Sequence, residues 1–192
     1  MSEYTPKLLI EPLHMPEQPG TMLVTDEERL CAAKFGSARR RAEYLMWRSM
    51  VRRQLGADVE IGYDPNGAPV LENRNECIGV SHSDDLVAVI ISGRRCAVDA
   101  ERLSRNFAGI SSRYVTAEER RLSADSRLEA AIWCAKETLY KYSGRKGLDF
   151  LRDILVEKVD FERGIIVGRL CDGGSVTMQM LCRDNNLVVW VG

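Results

Sequence analysis

Two carboxylates stand two residues apart in a predicted strand. Asp99 and Glu101 alternate with the small apolar residues Val98 and Ala100. Because side chains alternate between the two faces of a strand, both carboxylates lie on one face, close enough to share a divalent cation. Carboxylate oxygens suit a hard ion such as Mg²⁺. The alternative interpretation is a strand with an exposed acidic edge.

A second candidate lies in the segment Trp-Cys-Ala-Lys-Glu-Thr-Leu-Tyr-Lys at residues 133–141. Trp133, Glu137 and Lys141 are four residues apart and form one stripe on a predicted helix. The stripe lies roughly opposite the apolar residues that should face the core. The alternative is a solvated Glu–Lys pair, but the large apolar tryptophan indicates that something covers this side.

Basic residues in the first half of the chain are candidates for phosphate binding. His82 lies between two serines at a strand end, where it could donate to a phosphate oxygen or simply be polar surface. The predicted helix over residues 37–55 carries six arginines and one acidic residue outside its apolar positions, which indicates either a solvated face or a phosphate-binding one. These arginines are Arg39, Arg40, Arg41, Arg48, Arg52 and Arg53.

Periodicity and capping residues predict the elements that position these side chains. One helix runs from Ser37 to about Leu55 and another over Arg127–Tyr142, and short helices are expected after Thr25 and Thr116. Strands are predicted at Glu76–Val80, Leu86–Ile91, Cys96–Glu101, Ile154–Val159, Ile165–Leu170, Ser175–Cys182 and Leu187–Val191.

The order helix, strands, helix, strands predicts an α+β fold. It indicates two pseudo-symmetric halves, residues 1–95 and 96–192, each with a helix packed on a small antiparallel sheet. The active site is then expected in the cleft between the halves.

Composition excludes several classes of protein. The chain has 192 residues, of which 45% are hydrophobic and 29% charged, as in ordinary globular proteins. The net charge of −1 argues against a generally basic nucleic-acid binder. No apolar run approaches the ~20 residues of a membrane span, and the first residues lack signal-peptide features. We therefore expect a cytoplasmic protein that binds neither nucleic acid nor membranes.

Cysteine and histidine usage limits the metal chemistry further. The six cysteines include no Cys-x-x-Cys motif, and only two histidines are present. Reduced thiols are therefore expected, and a Cys/His zinc site is improbable. Any metal chemistry would depend on carboxylates.

In this order and spacing, the segments resemble the 4′-phosphopantetheinyl transferase superfamily over roughly residues 24–160. The most specific motifs are residues 97–101, similar to the family's Gly-Ile-Asp-Ile-Glu strand, and residues 133–141, similar to its Trp-x-x-Lys-Glu-x-x-x-Lys helix. Supporting segments are residues 40–48 for the first helix, 66–69 for a Gly-Lys-Pro turn and 80–83 for a Ser-His-Ser segment. The length and two halves are similar to the larger, surfactin-type group, so a monomer is expected.

This resemblance implies transfer of the phosphopantetheine arm of coenzyme A to a serine of an apo acyl or peptidyl carrier protein, with release of adenosine 3′,5′-bisphosphate. It implies that Asp99, Glu101 and Glu137 hold Mg²⁺. Glu137, or a metal-bound water, would take the serine proton, and Lys141 would neutralise the leaving phosphate. The coenzyme A phosphates would be bound by Arg40, Arg48, His82 and Lys141.

Several positions depart from the family pattern. Ala68 stands where the turn usually has lysine, and Asp84 where glycine usually follows Ser-His-Ser. Ala97, Ala100 and Trp47 also replace more usual residues. Weaker or altered coenzyme A binding is therefore expected. The alternatives are a degenerate homologue that binds coenzyme A or a carrier protein without modifying it, and a plain α+β interaction protein.

Overall fold

The computed structural model describes residues 5–14 and 22–192, and within these ranges helices alternate with antiparallel strands. Two short 3₁₀ turns, Ser111–Arg113 and Glu119–Arg121, precede the last helix. The elements are β1 (Lys7–Pro12), α1 (Asp26–Ala33), α2 (Ala38–Leu55), β2 (Ile61–Tyr63), β3 (Pro69–Leu71), β4 (Cys77–His82), β5 (Leu86–Ser92), β6 (Ala97–Arg102), α3 (Leu128–Ser143), β7 (Ile154–Asp160), β8 (Ile165–Leu170), β9 (Ser175–Arg183) and β10 (Asn186–Val191).

The strands form two main antiparallel sheets and a hairpin. One sheet has the order β1-β5-β4, the other β6-β10-β9-β8-β7, and β2 pairs with β3. The α+β fold class and the predicted strands are therefore confirmed, while the hairpin of β2 and β3 adds short strands that the sequence pattern did not predict. The division at residue 95 stays a prediction.

The two sheets and two long helices stack in layers. Odd-numbered residues of β5 pack against α2, in a cluster that includes Met46 and Met50. Even-numbered residues of β5 pack against β6, in a cluster that includes Val98 and Ala100. The sheets approach closely at Gly79, where a Cβ atom would lie 3.0 Å from the Cα atom of Ala97.

Helix α3 covers the other face of β6 and β10. Asp99 lies opposite Val189 and Glu101 opposite Leu187, and both apolar partners belong to the core cluster of α3. Both carboxylates therefore lie beneath α3. The alternative of an exposed acidic edge is wrong for Asp99, which is only 5% exposed.

The capping predictions differ in outcome. Thr25 caps α1 with a complete capping box, and Gly144 ends α3 in the left-handed conformation at φ 66°. At Thr116 both capping hydrogen bonds form, but only a 3₁₀ turn follows, so the predicted helix is wrong. The Glu119 carboxylate also accepts from the backbone N–H of Val156, and this tertiary contact ties the turn to β7.

No helix within the described ranges is long and apolar enough to cross a membrane.

Candidate functional site

Asp99 and Lys141 meet where β4, β6 and α3 come together. The Asp99 Oδ1 atom accepts from Lys141 Nζ at 2.8 Å and from Ser81 Oγ at 3.1 Å. Lys141 Nζ also donates to the Val98 carbonyl at 3.1 Å and to Ser81 Oγ at 3.2 Å. Ser81 thus connects the helix and both strands, a role that its place in a Ser-His-Ser motif did not reveal.

The second carboxylate oxygen of Asp99 has no partner. Asp99 Oδ2 is buried and accepts no hydrogen bond. Burying an acceptor without a partner costs about 1–3 kcal/mol, and more for a charged group. A bound cation would satisfy this oxygen, so its environment points to a ligand.

Glu101 is held by aromatic and cationic neighbours. Its Oε1 atom accepts from the Trp133 indole N–H at 2.8 Å and forms an ion pair with Arg105. The Arg105 guanidinium in turn lies 4.9 Å from the centre of the Trp133 ring. Trp133 packs edge-on against Tyr114, with ring centres 5.0 Å apart, so the tryptophan end of the stripe is covered while Lys141 stays exposed.

Glu137 lies on the same face of α3 as Lys141. Burial raises its pKa, and the negative charges of Asp99 and Glu101 raise it further, against the opposing effect of Lys141. The charges of Asp99 and Glu101 thus act on the Glu137 carboxyl group from β6. Concentrated negative charge of this kind favours a proton or a cation.

The carboxylate oxygens of Asp99, Glu101 and Glu137 are of the type that Mg²⁺ prefers, but the structure does not arrange them as a preformed metal site. Within residues 5–14 and 22–192, no group of three His, Cys, Asp or Glu side chains is arranged to hold a metal ion. Lys141 pairs with Asp99 and Arg105 with Glu101, so these two cations supply the counter-charge instead. Asp99 Oδ2 remains as an unpaired hard oxygen, the ligand type that Mg²⁺ prefers.

Lys136 of the same helical motif points elsewhere. It is fully buried, and its Nζ atom lies 2.8 Å from Glu119 and donates to the Phe150 carbonyl at 2.6 Å. Positions 136 and 141 are five residues apart, which places them about 140° apart around a helix. Lys136 therefore has a structural role, whereas Lys141 faces the carboxylates.

Two of the predicted phosphate-binding residues share a cavity of about 260 Å³. Arg40 and His82 line it together with Glu43 and an aromatic set. Burial lowers the pKa of His82, as do the charges of Lys141 and Arg40, while Glu43 opposes them from 3.4 Å. The aromatic lining residues are Phe35, Tyr44, Trp47 and Tyr63.

Arg48 is not brought to that surface. It is 1% exposed and donates to the Tyr44 carbonyl at 2.9 Å and to the Tyr63 hydroxyl at 2.6 Å. Its guanidinium lies 4.1 Å from the centre of the Trp47 ring, and its Nε atom is 3.3 Å from Glu28. The sequence analysis predicted that Arg48 binds phosphate. This prediction conflicts with its burial, because its guanidinium already contacts Glu28 of α1, Tyr44 of α2 and Tyr63 of β2.

The additional negative charge at Asp84 is paired with Arg39. Arg39 Nη1 donates to Asp84 at 2.6 Å, and the same guanidinium bonds to Glu43 and to the Ser83 carbonyl. Because one arginine is shared by two carboxylates, this group keeps one net negative charge near His82.

Lys141 also lines a second, larger cavity of about 330 Å³. The turn at residues 66–69, β4, β6 and the residues that follow α3 line it. Arg145 and Lys146 are among the lining residues, and sequence analysis assigned them no role. The only sequence signal was a basic pair directly after the helix-ending Gly144.

The raised pKa of Glu137 predicts a pH-dependent effect on stability. A carboxyl group whose pKa is higher in the folded than in the unfolded state destabilises the fold above both values, and has no effect where it is protonated in both states. In the presence of EDTA, Glu137→Gln is therefore expected to melt at a higher temperature than the wild type at neutral pH. The difference should vanish well below the ordinary value of 4.5. Thermal unfolding followed by circular dichroism tests this, and a less stable variant at neutral pH would contradict it.

Comparison with known proteins gives one match, to part of the chain. Residues 95–179 match the family model of the 4′-phosphopantetheinyl transferase superfamily, which covers β6, α3 and Asp99, Glu101, Glu137 and Lys141. Arg40 and His82 lie outside the match. A search of curated proteins gave no match.

Proposed function

With a 4′-phosphopantetheinyl transferase superfamily domain at residues 95–179 as the premise, we propose that the protein transfers the 4′-phosphopantetheine arm of coenzyme A to a serine of an apo acyl or peptidyl carrier protein. The observation that carries the proposal is the buried, unpaired oxygen of Asp99, which lies beside Lys141 within the matched segment. A bound cation would give that oxygen a partner, next to a lysine that can neutralise phosphate.

Three carboxylates would hold the metal ion. Asp99 would supply its unpaired oxygen, Glu101 is oriented by Trp133, and Glu137 would supply a third carboxylate from α3. Bound Mg²⁺ would stabilise the negative charge that develops on the pyrophosphate oxygens. Without the metal ion, Lys141 pairs with Asp99 and Arg105 pairs with Glu101.

The reaction is an in-line phosphoryl transfer. The serine oxygen forms a bond to the β-phosphorus of coenzyme A, and the bond from that phosphorus to the bridging oxygen breaks. Adenosine 3′,5′-bisphosphate leaves with the bonding electrons. Glu137 takes the serine proton, since its raised pKa brings it closer to the operating pH than an ordinary carboxylate. Lys141 neutralises charge on the leaving phosphate.

Arg40 and His82 would bind the nucleotide phosphates from the cavity beside α2. The exposed Arg40 supplies charge, while His82, whose pKa is lowered, supplies a neutral hydrogen-bond donor at neutral pH. Arg48 is left out of the proposed set because of its burial.

Trp133→Phe tests the proposed orientation of Glu101. Loss of the indole donor should weaken Mg²⁺ binding by about tenfold, because partners that orient metal ligands typically contribute 10–100-fold in affinity. The measurement is the Mg²⁺ concentration that gives half-maximal transfer. Trp190→Phe on β10 is the matched control, since Trp190 has no bond to a site carboxylate. An equal Mg²⁺ requirement for both variants would contradict the orientation.

A second candidate function is coenzyme A binding without transfer. Two observations favour it. Lys141 already forms an ion pair with Asp99, and Ala68 stands in the turn where the resemblance would place a lysine. Such a protein would bind coenzyme A and leave carrier proteins unmodified.

The deciding experiment measures the intact mass of apo acyl and peptidyl carrier proteins after incubation with the protein, coenzyme A and Mg²⁺. A gain of one phosphopantetheine arm that EDTA abolishes would establish the transferase. No gain with either carrier type, while calorimetry shows coenzyme A binding, would favour the second candidate.

A further inference from the structure

The 330 Å³ cavity beside Lys141 carries a strongly biased charge. Its lining includes Lys141, Arg145 and Lys146, and none of its described lining residues is acidic. A cavity with cationic groups and no carboxylate in its wall attracts anions. Residues of β4 and β6 add an apolar wall beside these cations.

The three cations differ in how they are engaged. Lys141 bonds to Asp99, Ser81 and the Val98 carbonyl. Arg145 forms an ion pair with Asp172, in which Nη1 donates to both carboxylate oxygens, at 2.8 and 2.7 Å. Lys146 makes no hydrogen bond or ion pair with any residue in the described part of the chain. Lys146 is therefore the lining cation whose charge is uncompensated.

The backbone around Lys146 is fixed by two glycines and by a hydrogen bond to the facing turn. It lies between Gly144 and Gly147, which take φ angles of 66° and 75°, a left-handed region that favours glycine. The Asn66 side-chain amide donates to the Gly144 carbonyl at 3.0 Å and joins this loop to the turn at residues 66–69. Ala68 of that turn lines the same cavity.

We propose that Lys146 binds a phosphate of coenzyme A and supplies, from the loop after α3, the cation that Ala68 does not supply from the facing turn. This inference rests on the proposed function for the identity of the ligand. Lys146 is then a binding residue that affects affinity for coenzyme A more than the rate of the chemical step.

Lys146→Ala tests the inference through the split between KM and kcat. The variant is expected to raise the KM for coenzyme A about tenfold and to leave kcat within twofold, since removing ground-state binding raises KM alone. Lys146→Arg should retain most of the affinity. Lys158→Ala is the matched control, because Lys158 is an exposed lysine on β7 outside this cavity.

A lysine introduced at position 68, in the turn at residues 66–69, tests whether a cation there can replace Lys146. The double variant Ala68→Lys with Lys146→Ala is expected to recover at least half of the lost binding free energy. Dephospho-coenzyme A identifies the phosphate: an effect of Lys146→Ala that disappears with this substrate assigns the contact to the 3′-phosphate, and one that persists assigns it to the pyrophosphate.

Equilibrium binding separates failure of this inference from failure of the proposed function. Calorimetry with coenzyme A in EDTA compares the wild type with Lys146→Ala and needs no carrier protein. Equal dissociation constants would overturn the role of Lys146 even if the wild type transfers phosphopantetheine. A tenfold weaker variant would support that role even if no carrier protein is modified.

Discussion

Transfer of phosphopantetheine is expected to fall about 10³-fold when Glu137 is replaced by Gln, within the 10²–10⁴-fold range typical of a lost general base. Gln keeps the shape of the side chain but can neither take the serine proton nor give a metal ion an anionic oxygen. Intact-mass measurement of a carrier protein in single-turnover reactions gives the rate directly. Thermal unfolding of the same sample should show a folded variant, at least as stable as the wild type at neutral pH.

The same helix offers a control for this variant. Glu129 lies in the first turn of α3 and pairs with Arg120. Glu129→Gln removes the same charge away from the site and is expected to leave transfer within twofold. Wild-type rates in Glu137→Gln would overturn the assignment of proton transfer and metal binding to Glu137.

Lys136→Met is expected to lower the free energy of unfolding by about 3–5 kcal/mol, the usual cost of breaking a buried ion pair by removing one partner. Lys136 and Glu119 are 0% and 2% exposed at their side chains, so the remaining carboxylate has no access to water. The Phe150 carbonyl also loses its donor. Urea denaturation followed by circular dichroism measures the difference.

A second substitution distinguishes buried charge from lost packing. Glu119→Gln in the Lys136→Met background removes the unpaired charge and keeps an acceptor for the backbone N–H of Val156, although its amide NH₂ group no longer accepts from the backbone N–H of Thr116. The double variant is expected to recover part of the lost stability, and coenzyme A should bind the folded fraction normally. A loss below about 1 kcal/mol in the single variant would show that the pair does not stabilise the fold.

Local sequence patterns were sufficient to predict the elements and the relations within each of them. Period two in the segment that became β6 predicted that Asp99 and Glu101 share a face, and spacing by four predicted that Glu137 and Lys141 share a side of α3. The α+β class and the strands followed from the same patterns, since hydrophobic periodicity records which side of an element is buried. Residues 97–101 and 133–141 also sufficed to indicate the superfamily that the family model matches.

The tertiary structure decided what each side chain meets on its face. Lys136 and Lys141 occur in one motif, yet one is buried against Glu119 and the other pairs with Asp99. Arg40 and Arg48 share a helix, yet only Arg40 is exposed, because α1 and β2 cover the other. Partners from distant segments set these outcomes, and spacing along one element carries no information about which distant segment will pack against it.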